Sequence, residues 1–161
     1  MKVIRCLAMF LISLFIIAGC TAKGSQESEE KNDPKKAQAD WTVSPTFEAD
    51  GYTLRGLIGS IGFIDVPFVA GKGNKYMWYL WGDALKGEKL KVIATKKGSN
   101  QKAKVFIEGA GTNNESKVES IPIGDQIPTS MSLPSPGLWA LNLSIDGQDY
   151  GRIVVNVKQD K

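Results

Sequence analysis

The sequence of 161 residues contains no histidine and only two cysteines, Cys6 and Cys20. Without histidine the chain has no imidazole to act as a general base or to pair with a serine or cysteine nucleophile. It also cannot build a zinc site of the usual His/Cys kind. These absences exclude most familiar hydrolase chemistries and leave no metal or other cofactor to predict.

The most apolar stretch of the chain stops at a cysteine. Lys2 and Arg5 precede an apolar run over residues 7–18, and two small residues then lead to Cys20. The run is shorter than the roughly 20 apolar residues of a bilayer-spanning helix. A basic start, a short apolar run and a small-residue site together predict a signal peptide over residues 1–19. An uncleaved helix, or a secretory signal with an incidental cysteine, is the alternative.

The last four residues of this segment, "IAGC", resemble the bacterial lipobox. The resemblance implies a diacylglyceryl thioether on Cys20, which becomes the first mature residue. Two acyl chains anchor a protein stably, since each buried methylene contributes about 0.8 kcal/mol. We therefore expect a lipid anchor in the cell membrane, on its extracytoplasmic face. Because Cys6 is removed with the leader, the exported domain has no disulfide and depends on its hydrophobic core.

Large apolar side chains are missing from residues 21–40, "TAKGSQESEEKNDPKKAQAD". Such a segment cannot bury enough surface to offset the entropy of ordering it. We predict that residues 20–40 comprise the lipidated cysteine and a disordered linker, with a coil dimension of about 25 Å and a reach of about 70 Å. A short helix is the alternative, opposed by Pro34.

Net charge is small. The chain has 20 basic and 17 acidic residues, and removing Lys2 and Arg5 leaves 18 against 17. A local excess of lysine between Lys86 and Lys104 alternates with apolar residues, which indicates a solvated strand face. Contact with anionic lipid or wall polymer is the alternative. No basic stripe interleaved with aromatics is present, so no nucleic-acid partner is predicted.

From Trp41 onward apolar and polar residues alternate with a period of two, as half-buried strands do. Two hairpins are predicted. The first joins "LKVIATKK" to "AKVFIEG", with Ala103, Val105 and Ile107 on one face. The second folds "GLWALNLSI" onto "RIVVNV" through an Asp146-Gly147 turn. The sequence predicts one all-β domain over residues 41–161, an antiparallel β-sandwich of about seven or eight strands.

Two stretches resemble the immunoglobulin fold. "SPGLWAL" has the spacing of the strand F corner, and "YMWYLWG" places Trp78 like the strand C tryptophan. The chain differs in carrying Trp139 where the corner tyrosine stands and Leu141 at a disulfide position. The resemblance implies an Ig-like sandwich with an apolar core in place of the bridge, and it leaves the corner hydrogen bond in doubt.

A wider resemblance covers residues 1–158 and includes the lipobox, the charged linker, "SIGFIDVPFVAGKGNKYMWYLWGD" and "LPSPGLWALNLSIDGQDYGRIVVNV". The whole arrangement is similar to a family of uncharacterised membrane lipoproteins of Bacillus-type Gram-positive bacteria. The resemblance implies a place on the outer leaflet of the cytoplasmic membrane and brings no established activity with it.

Apparent catalytic and ligand motifs lack their companions. Ser99 and Lys102 match S-x-x-K without its partner motifs, and "GAGTNN" has no helix to follow it. "DGQD" lacks the ligand alternation of a calcium loop and is predicted to be a turn. Carboxylates could perform acid/base chemistry without histidine. The acids that border apolar strands are Asp65, Asp83, Glu108 and Asp125. We predict no catalytic residue and no enzyme.

The aromatic run "KYMWYLWGD" supplies the candidate ligand-binding residues Tyr76, Trp78, Tyr79 and Trp81. A strand buried on one face only must leave some of these rings exposed, and exposed Trp and Tyr stack on sugars or anchor partners. The alternative is that residues 56–68 cover the outer face of this strand.

These observations predict a lipid-anchored, non-catalytic binding or interaction module at the cell envelope, with an envelope protein or wall glycan as partner. The first alternative is an inhibitor or accessory subunit of an envelope enzyme, with a loop such as "FIDVPFVAGKGNK" as the contact. A carboxylate-dependent wall hydrolase is the second.

Overall fold

A computed structural model describes residues 40–113 and 115–161. The predicted signal peptide, the lipobox with Cys20 and the linker up to residue 39 lie outside the described residues. No helix in the part of the chain that the structure describes is long and apolar enough to cross a membrane.

The described residues form strands and one short 3-10 helix, Gly82–Lys86. In chain order the strands are β1 (Thr46–Ala49), β2 (Tyr52–Leu57), β3 (Ile61–Ile64), β4 (Phe68–Val69), β5 (Asn74–Leu80), β6 (Lys89–Lys96), β7 (Lys102–Lys104), β8 (Phe106–Glu108), β9 (Ser116–Val118), β10 (Ser120–Pro122), β11 (Gln126–Met131), β12 (Gly137–Ile145) and β13 (Gln148–Lys158).

These strands make two sheets that pack face to face. The seven-stranded sheet has the order β1-β2-β3-β5-β11-β8-β9, and the six-stranded sheet has the order β10-β6-β12-β13-β4, with β7 also paired to β6. The described pairs are antiparallel except β4 with β13. The fold is the predicted Ig-like all-β sandwich. It has more segments than about seven or eight because the chain breaks its strands where it crosses between the sheets.

The core lies between the sheets and follows from the period-two alternation. In β6, Leu90, Val92 and Ala94 are fully buried, whereas Lys89 and Lys91 are exposed. The largest fully buried side chains come from both sheets: Trp78, Phe63, Phe106 and Met131 from the seven-stranded sheet, and Trp139, Leu141, Leu143 and Leu90 from the six-stranded one. Full burial of each large side chain contributes about 1.5–3 kcal/mol relative to exposure.

The predicted hairpin through Asp146-Gly147 is confirmed. In β12 and β13, Trp139 lies opposite Val155 and Leu141 opposite Ile153, with all four in the core. The turn has positive φ at both central residues, 49° and 83°, as a two-residue hairpin loop of this type requires.

The other predicted hairpin is only partly correct. β6 does pair with β7, with Ala94 opposite Ala103. The prediction that its return strand continues to Ile107 on the same face is wrong, because Val105 and Phe106 are consecutive and both buried. The chain leaves the six-stranded sheet between them, and β8 pairs with β9 and β11 in the other sheet.

The corner hydrogen bond left in doubt by the sequence is made by an indole. Trp139 Nε1 donates to the carbonyl oxygen of Ser135, four residues upstream, at 2.8 Å. In Ig-like domains the corner tyrosine hydroxyl makes the corresponding hydrogen bond to the backbone a few residues upstream. Trp78 takes the place expected of the strand C tryptophan. It is fully buried, with its ring centroid 4.9 Å from that of Phe63.

The segment before β1 closes one side of the sandwich. Ser44 N donates to Val154 O at 2.9 Å, and Val154 N donates to Ser44 Oγ at 2.9 Å. Arg55 donates to the Ser44 carbonyl and holds Asp65 through two bonds of 2.7 Å. These contacts cover the part of the β13 edge that β4 leaves unpaired, which blunts a surface that could otherwise pair with another chain.

Replacing Gly56 by alanine is expected to destabilise the domain by about 1–3 kcal/mol. A Cβ at this position would lie 2.2 Å from the carbonyl oxygen of Ile61, on backbone that cannot rotate away. Gly124→Ala is the matched control, because its nearest heavy atom is 3.8 Å away. Urea denaturation of both variants measures the difference, and equal midpoints would show that β2 and β3 are not paired this closely.

Candidate functional site

The structure divides the four predicted binding aromatics between the two faces of β5. Tyr76 and Trp78 point into the core and are 2% and 0% exposed, so a ligand cannot reach their rings without opening the sandwich. Tyr79 and Trp81 lie on the outer side of the seven-stranded sheet. Alternation along β5 therefore puts the four side chains on two faces. Of the outward rings Tyr79 and Trp81, the second is the more accessible, because Tyr79 is only 5% exposed.

Two further rings join them to form an aromatic patch, which we define as Phe47, Tyr52, Tyr79 and Trp81. The ring centroids of Tyr52 and Tyr79 are 5.8 Å apart, and those of Tyr79 and Trp81 are 6.1 Å apart with the rings nearly parallel. Phe47 meets Trp81 edge-on at 6.3 Å. Tyr52 is 47% exposed, whereas Phe47 and Trp81 are half-buried and Tyr79 is 5% exposed.

The outer face of β5 is thus covered from β1 and β2. The expectation that residues 56–68 would cover it is wrong, since this segment supplies β3, which pairs beside β5 in the same sheet. Gly62 in β3 leaves space for the Phe47 ring that covers this face. A Cβ on Gly62 would come within 3.0 Å of the Phe47 ring, so the absence of a side chain there leaves room for the ring.

Sequence reasoning missed Phe47 and Tyr52, although a signal was present. The stretch "TFEADGYTL" carries an Asp-Gly pair between alternating residues, which is the same hairpin signature as at Asp146-Gly147. Asp50 and Gly51 have φ of 51° and 79°, and they join β1 to β2. This hairpin places an aromatic on each strand on the outer side of the sheet.

The surroundings of Tyr79 favour the neutral form of its phenol. Burial raises the pKa of Tyr79, and the adjacent Tyr52 and the negative charge of Asp50 raise it further. Tyr79 is therefore a neutral phenol at physiological pH. The patch offers flat apolar rings with phenol hydroxyls and a nearby carboxylate as hydrogen-bonding groups. That combination can bind a sugar ring or a protein side chain.

A cleft opens in the same sheet where β8 separates from β11. The two strands share the single described pair Met131 and Phe106. Pro128, farther along β11, has no N–H to offer a neighbouring strand. The cleft has a volume of about 550 Å³, and its lining includes Ile64, Met77, Ile107 and Pro128, with Lys75 and Glu108 as its charged residues.

Three of the four acids considered from the sequence bond to nearby groups, and the fourth lines the cleft. Asp65 is bound by Arg55, and Asp83 pairs with Lys86 at 2.6 Å on the surface. Asp125 accepts the N–H of Gln126 at 2.9 Å. Glu108 lines the cleft.

The remaining motifs behave as turns and loops. Ser99 Oγ accepts the N–H of Gln101 in the loop before β7. Asp146 of "DGQD" accepts the N–H groups of Glu88 and Lys89. Within residues 40–113 and 115–161 no three His, Cys, Asp or Glu side chains cluster as metal ligands would.

The described part of the chain is therefore an Ig-like β-sandwich with an aromatic patch on one outer face. Residues 34–155 match the family described as "Domain of unknown function (DUF4871)", and the chain belongs to this family. Among solved structures it is similar to the X-ray crystal structure of a "Putative Lipoprotein from Bacillus anthracis". The TM-score is 0.61 at 27% identity, covering 74% of this chain and 87% of that one. No curated protein matches.

The Tyr76 hydroxyl provides a test of the core beneath the patch. It is buried without a hydrogen-bond partner among the described residues. Tyr76→Phe removes a desolvated group and is expected to raise the free energy of unfolding by about 1 kcal/mol. In the control Tyr150→Phe, the Ser60 Oγ loses its partner at 2.5 Å, so stability is expected to fall by a similar amount.

The same variant has a defined pH dependence. Burial, and secondarily the charge of Asp65, raises the pKa of Tyr76 above that of an unfolded tyrosine. The stability that depends on its neutral form is complete below pH about 10 and is lost as the pH rises toward the folded pKa. The advantage of Tyr76→Phe over the parent should therefore grow above pH about 10 in denaturant titrations. A constant difference across this range would contradict the assignment.

Proposed function

We propose that the chain is a lipid-anchored extracytoplasmic lipoprotein whose Ig-like domain is a non-catalytic binding module at the cell envelope. The observation that carries the binding role is the aromatic patch on the outer face of the seven-stranded sheet. The anchor is the predicted diacylglyceryl group on Cys20. Its support is the "IAGC" lipobox and the likeness to the Bacillus anthracis structure described as a putative lipoprotein.

The patch is suited to binding because it is partly exposed and held in place. Tyr79 is almost fully buried beneath its neighbours, and Phe47 rests against Gly62, so the rings lose little conformational freedom when a ligand arrives. Tyrosine and tryptophan in such settings supply much of the affinity of natural interfaces. The rings of Tyr52 and Trp81 stay partly exposed, and their flat faces can stack on the apolar face of a sugar ring.

A non-catalytic role is supported by the state of the carboxylates. Asp65 and Asp83 are engaged in ion pairs, and the raised pKa of Tyr79 keeps its phenol neutral. The partner class we favour is a wall glycan, recognised by ring stacking.

The glycan proposal is tested by titrating tryptophan fluorescence of the protein with soluble muropeptides. Trp81 and the rings around it should report binding by a shift in emission. Tyr52→Ala, which removes the most exposed ring of the patch, is expected to weaken binding by about tenfold or more. Leu85→Ala is the matched control, because Leu85 is 41% exposed and lies in the 3-10 helix outside the patch.

Equal affinity in the parent and Tyr52→Ala would show that muropeptides do not use the patch. No response in the parent would exclude the glycan. Photo-cross-linking from position 52 in intact cells would then test the protein partner, and it distinguishes the inhibitor or accessory-subunit alternative by the identity of the captured enzyme.

The anchor has its own test. Cys20→Ala removes the lipid attachment site and is expected to shift the protein from the membrane fraction to the soluble exported fraction or to block its processing. Intact mass of the parent should show the diacylglyceryl group on a chain that begins at Cys20. A parent chain without lipid, with equal membrane retention in both forms, would overturn the anchor.

A further inference from the structure

The outer face of the six-stranded sheet carries a row of basic and polar side chains that can be read from the strand register. Lys104 of β7 lies opposite Ile93 of β6, Ile93 opposite Asn142 of β12, and Asn142 opposite Arg152 of β13. Residues paired directly across antiparallel strands point to the same side of a sheet. The row therefore crosses four strands and ends in a cation on each side.

Neighbouring positions extend this positive surface. Lys102 and Lys91 occupy alternate positions on the same side of β7 and β6, and both are exposed. Glu119 lies among them, 2.8 Å from Lys91 and 3.9 Å from Lys104. Asp149 also lies on this side, opposite Ser144, so two carboxylates stand among the four cations and the surface stays positive. We call Lys91, Lys102, Lys104 and Arg152 the basic face.

The chain enters the folded domain on this basic face. The guanidinium of Arg152 lies over the ring of Trp41, 4.3 Å from its centroid. The charges of Arg152 and Lys97 also act on the carboxylate of Asp40, where the described chain begins. The opposite outer face carries the aromatic patch, with Asp50 close to Tyr79. The entry point and the positive charge thus share one side of the sandwich, and the patch occupies the other.

We propose that the basic face docks on the anionic headgroups of the membrane that holds the anchor, so that the aromatic patch points away from the bilayer. This inference rests on the proposed Cys20 anchor. Residues 21–39 connect the anchor to Asp40 and keep the domain within about 70 Å of the membrane. Attraction between the lysines and anionic lipid acts within about 8 Å at physiological salt, so the face nearest the attachment point benefits first.

Trp41 adds a second contribution to this docking. An indole with a polar N–H is suited to the boundary between headgroups and acyl chains. Arg152 fixes the ring on the basic face rather than in the core. A wall polymer with repeated phosphates would meet the same lysines but not the attachment geometry, so the lipid surface is the occupant we favour.

The experiment uses the full lipidated chain in phosphatidylcholine vesicles with and without phosphatidylglycerol. A single added cysteine carries a bimane label, at Ser144→Cys on the basic face or at Gln126→Cys on the patch side, and spin-labelled headgroups act as the quencher. Ser144 lies opposite Lys91, and Gln126 lies opposite Tyr79. With phosphatidylglycerol present, the label at position 144 should be quenched several-fold more than that at position 126. High salt should remove the difference.

Charge reversal separates docking from tethering. Lys102→Glu with Lys104→Glu should abolish the quenching at position 144, since each lysine near an anionic surface contributes roughly fivefold in binding. Lys72→Glu with Lys75→Glu makes the same charge change elsewhere and should leave the quenching unchanged. Equal quenching of both labels, or no effect of reversing Lys102 and Lys104, would overturn the docking.

Flotation with phosphatidylcholine vesicles alone reports the acyl anchor independently. If the chain does not float with phosphatidylcholine vesicles, the anchor is refuted but the basic face is not. The basic face is then tested by measuring binding of the unlipidated chain to phosphatidylglycerol vesicles. Binding of purified anionic wall polymer through Lys102 and Lys104, with no quenching on vesicles, would overturn the lipid assignment.

Discussion

Burial of Trp78 and Trp139 between the sheets takes the place of the disulfide that joins the sheets of antibody-like domains. Both indoles are fully buried, and they come from opposite sheets. The chain has no cysteine after Cys20, so no disulfide joins the two sheets, and apolar contact is the main interaction between them. Phe63 and Phe106 fill the space beside Trp78, and Trp139 is fixed by its bond to Ser135. The positions of the outer faces depend on this core.

The two outer faces differ in chemistry because the strands behind them differ. Most inner positions on both sheets are apolar, so the outward residues distinguish the sheets. In the seven-stranded sheet these include Tyr79 and Trp81, over which the β1–β2 hairpin lays Phe47 and Tyr52. In β6 and β7 the outward residues include the lysines of the basic face. Because the two outer faces differ in chemistry, the sandwich can contact one partner through the aromatic patch and another through the basic face at the same time.

Pattern alone predicted the sandwich, the β12–β13 hairpin and the place of Trp139 on the apolar face of that hairpin, whereas the strand C place of Trp78 came from the Ig-like resemblance. It could not predict which face of β5 is the inner one, because Tyr76 and Trp78 on one face and Tyr79 and Trp81 on the other are equally apolar in sequence. The rings of Tyr79 and Trp81 are covered by the β1–β2 hairpin, and the Asp-Gly turn that forms this hairpin was not predicted from the sequence. The crossing of the chain between sheets at Val105 also leaves no mark in a period-two pattern, since it appears only as two adjacent apolar residues.

The indole at the strand F corner has a consequence for how this end of the fold responds to pH. A phenol at this position would be both donor and acceptor and would lose its proton in alkaline surroundings. The indole N–H is a donor only and keeps its proton in the alkaline range in which a phenol loses its own. The hydrogen bond between Trp139 and Ser135 therefore does not titrate. It persists at a pH at which a tyrosine hydroxyl would lose its proton and could no longer donate.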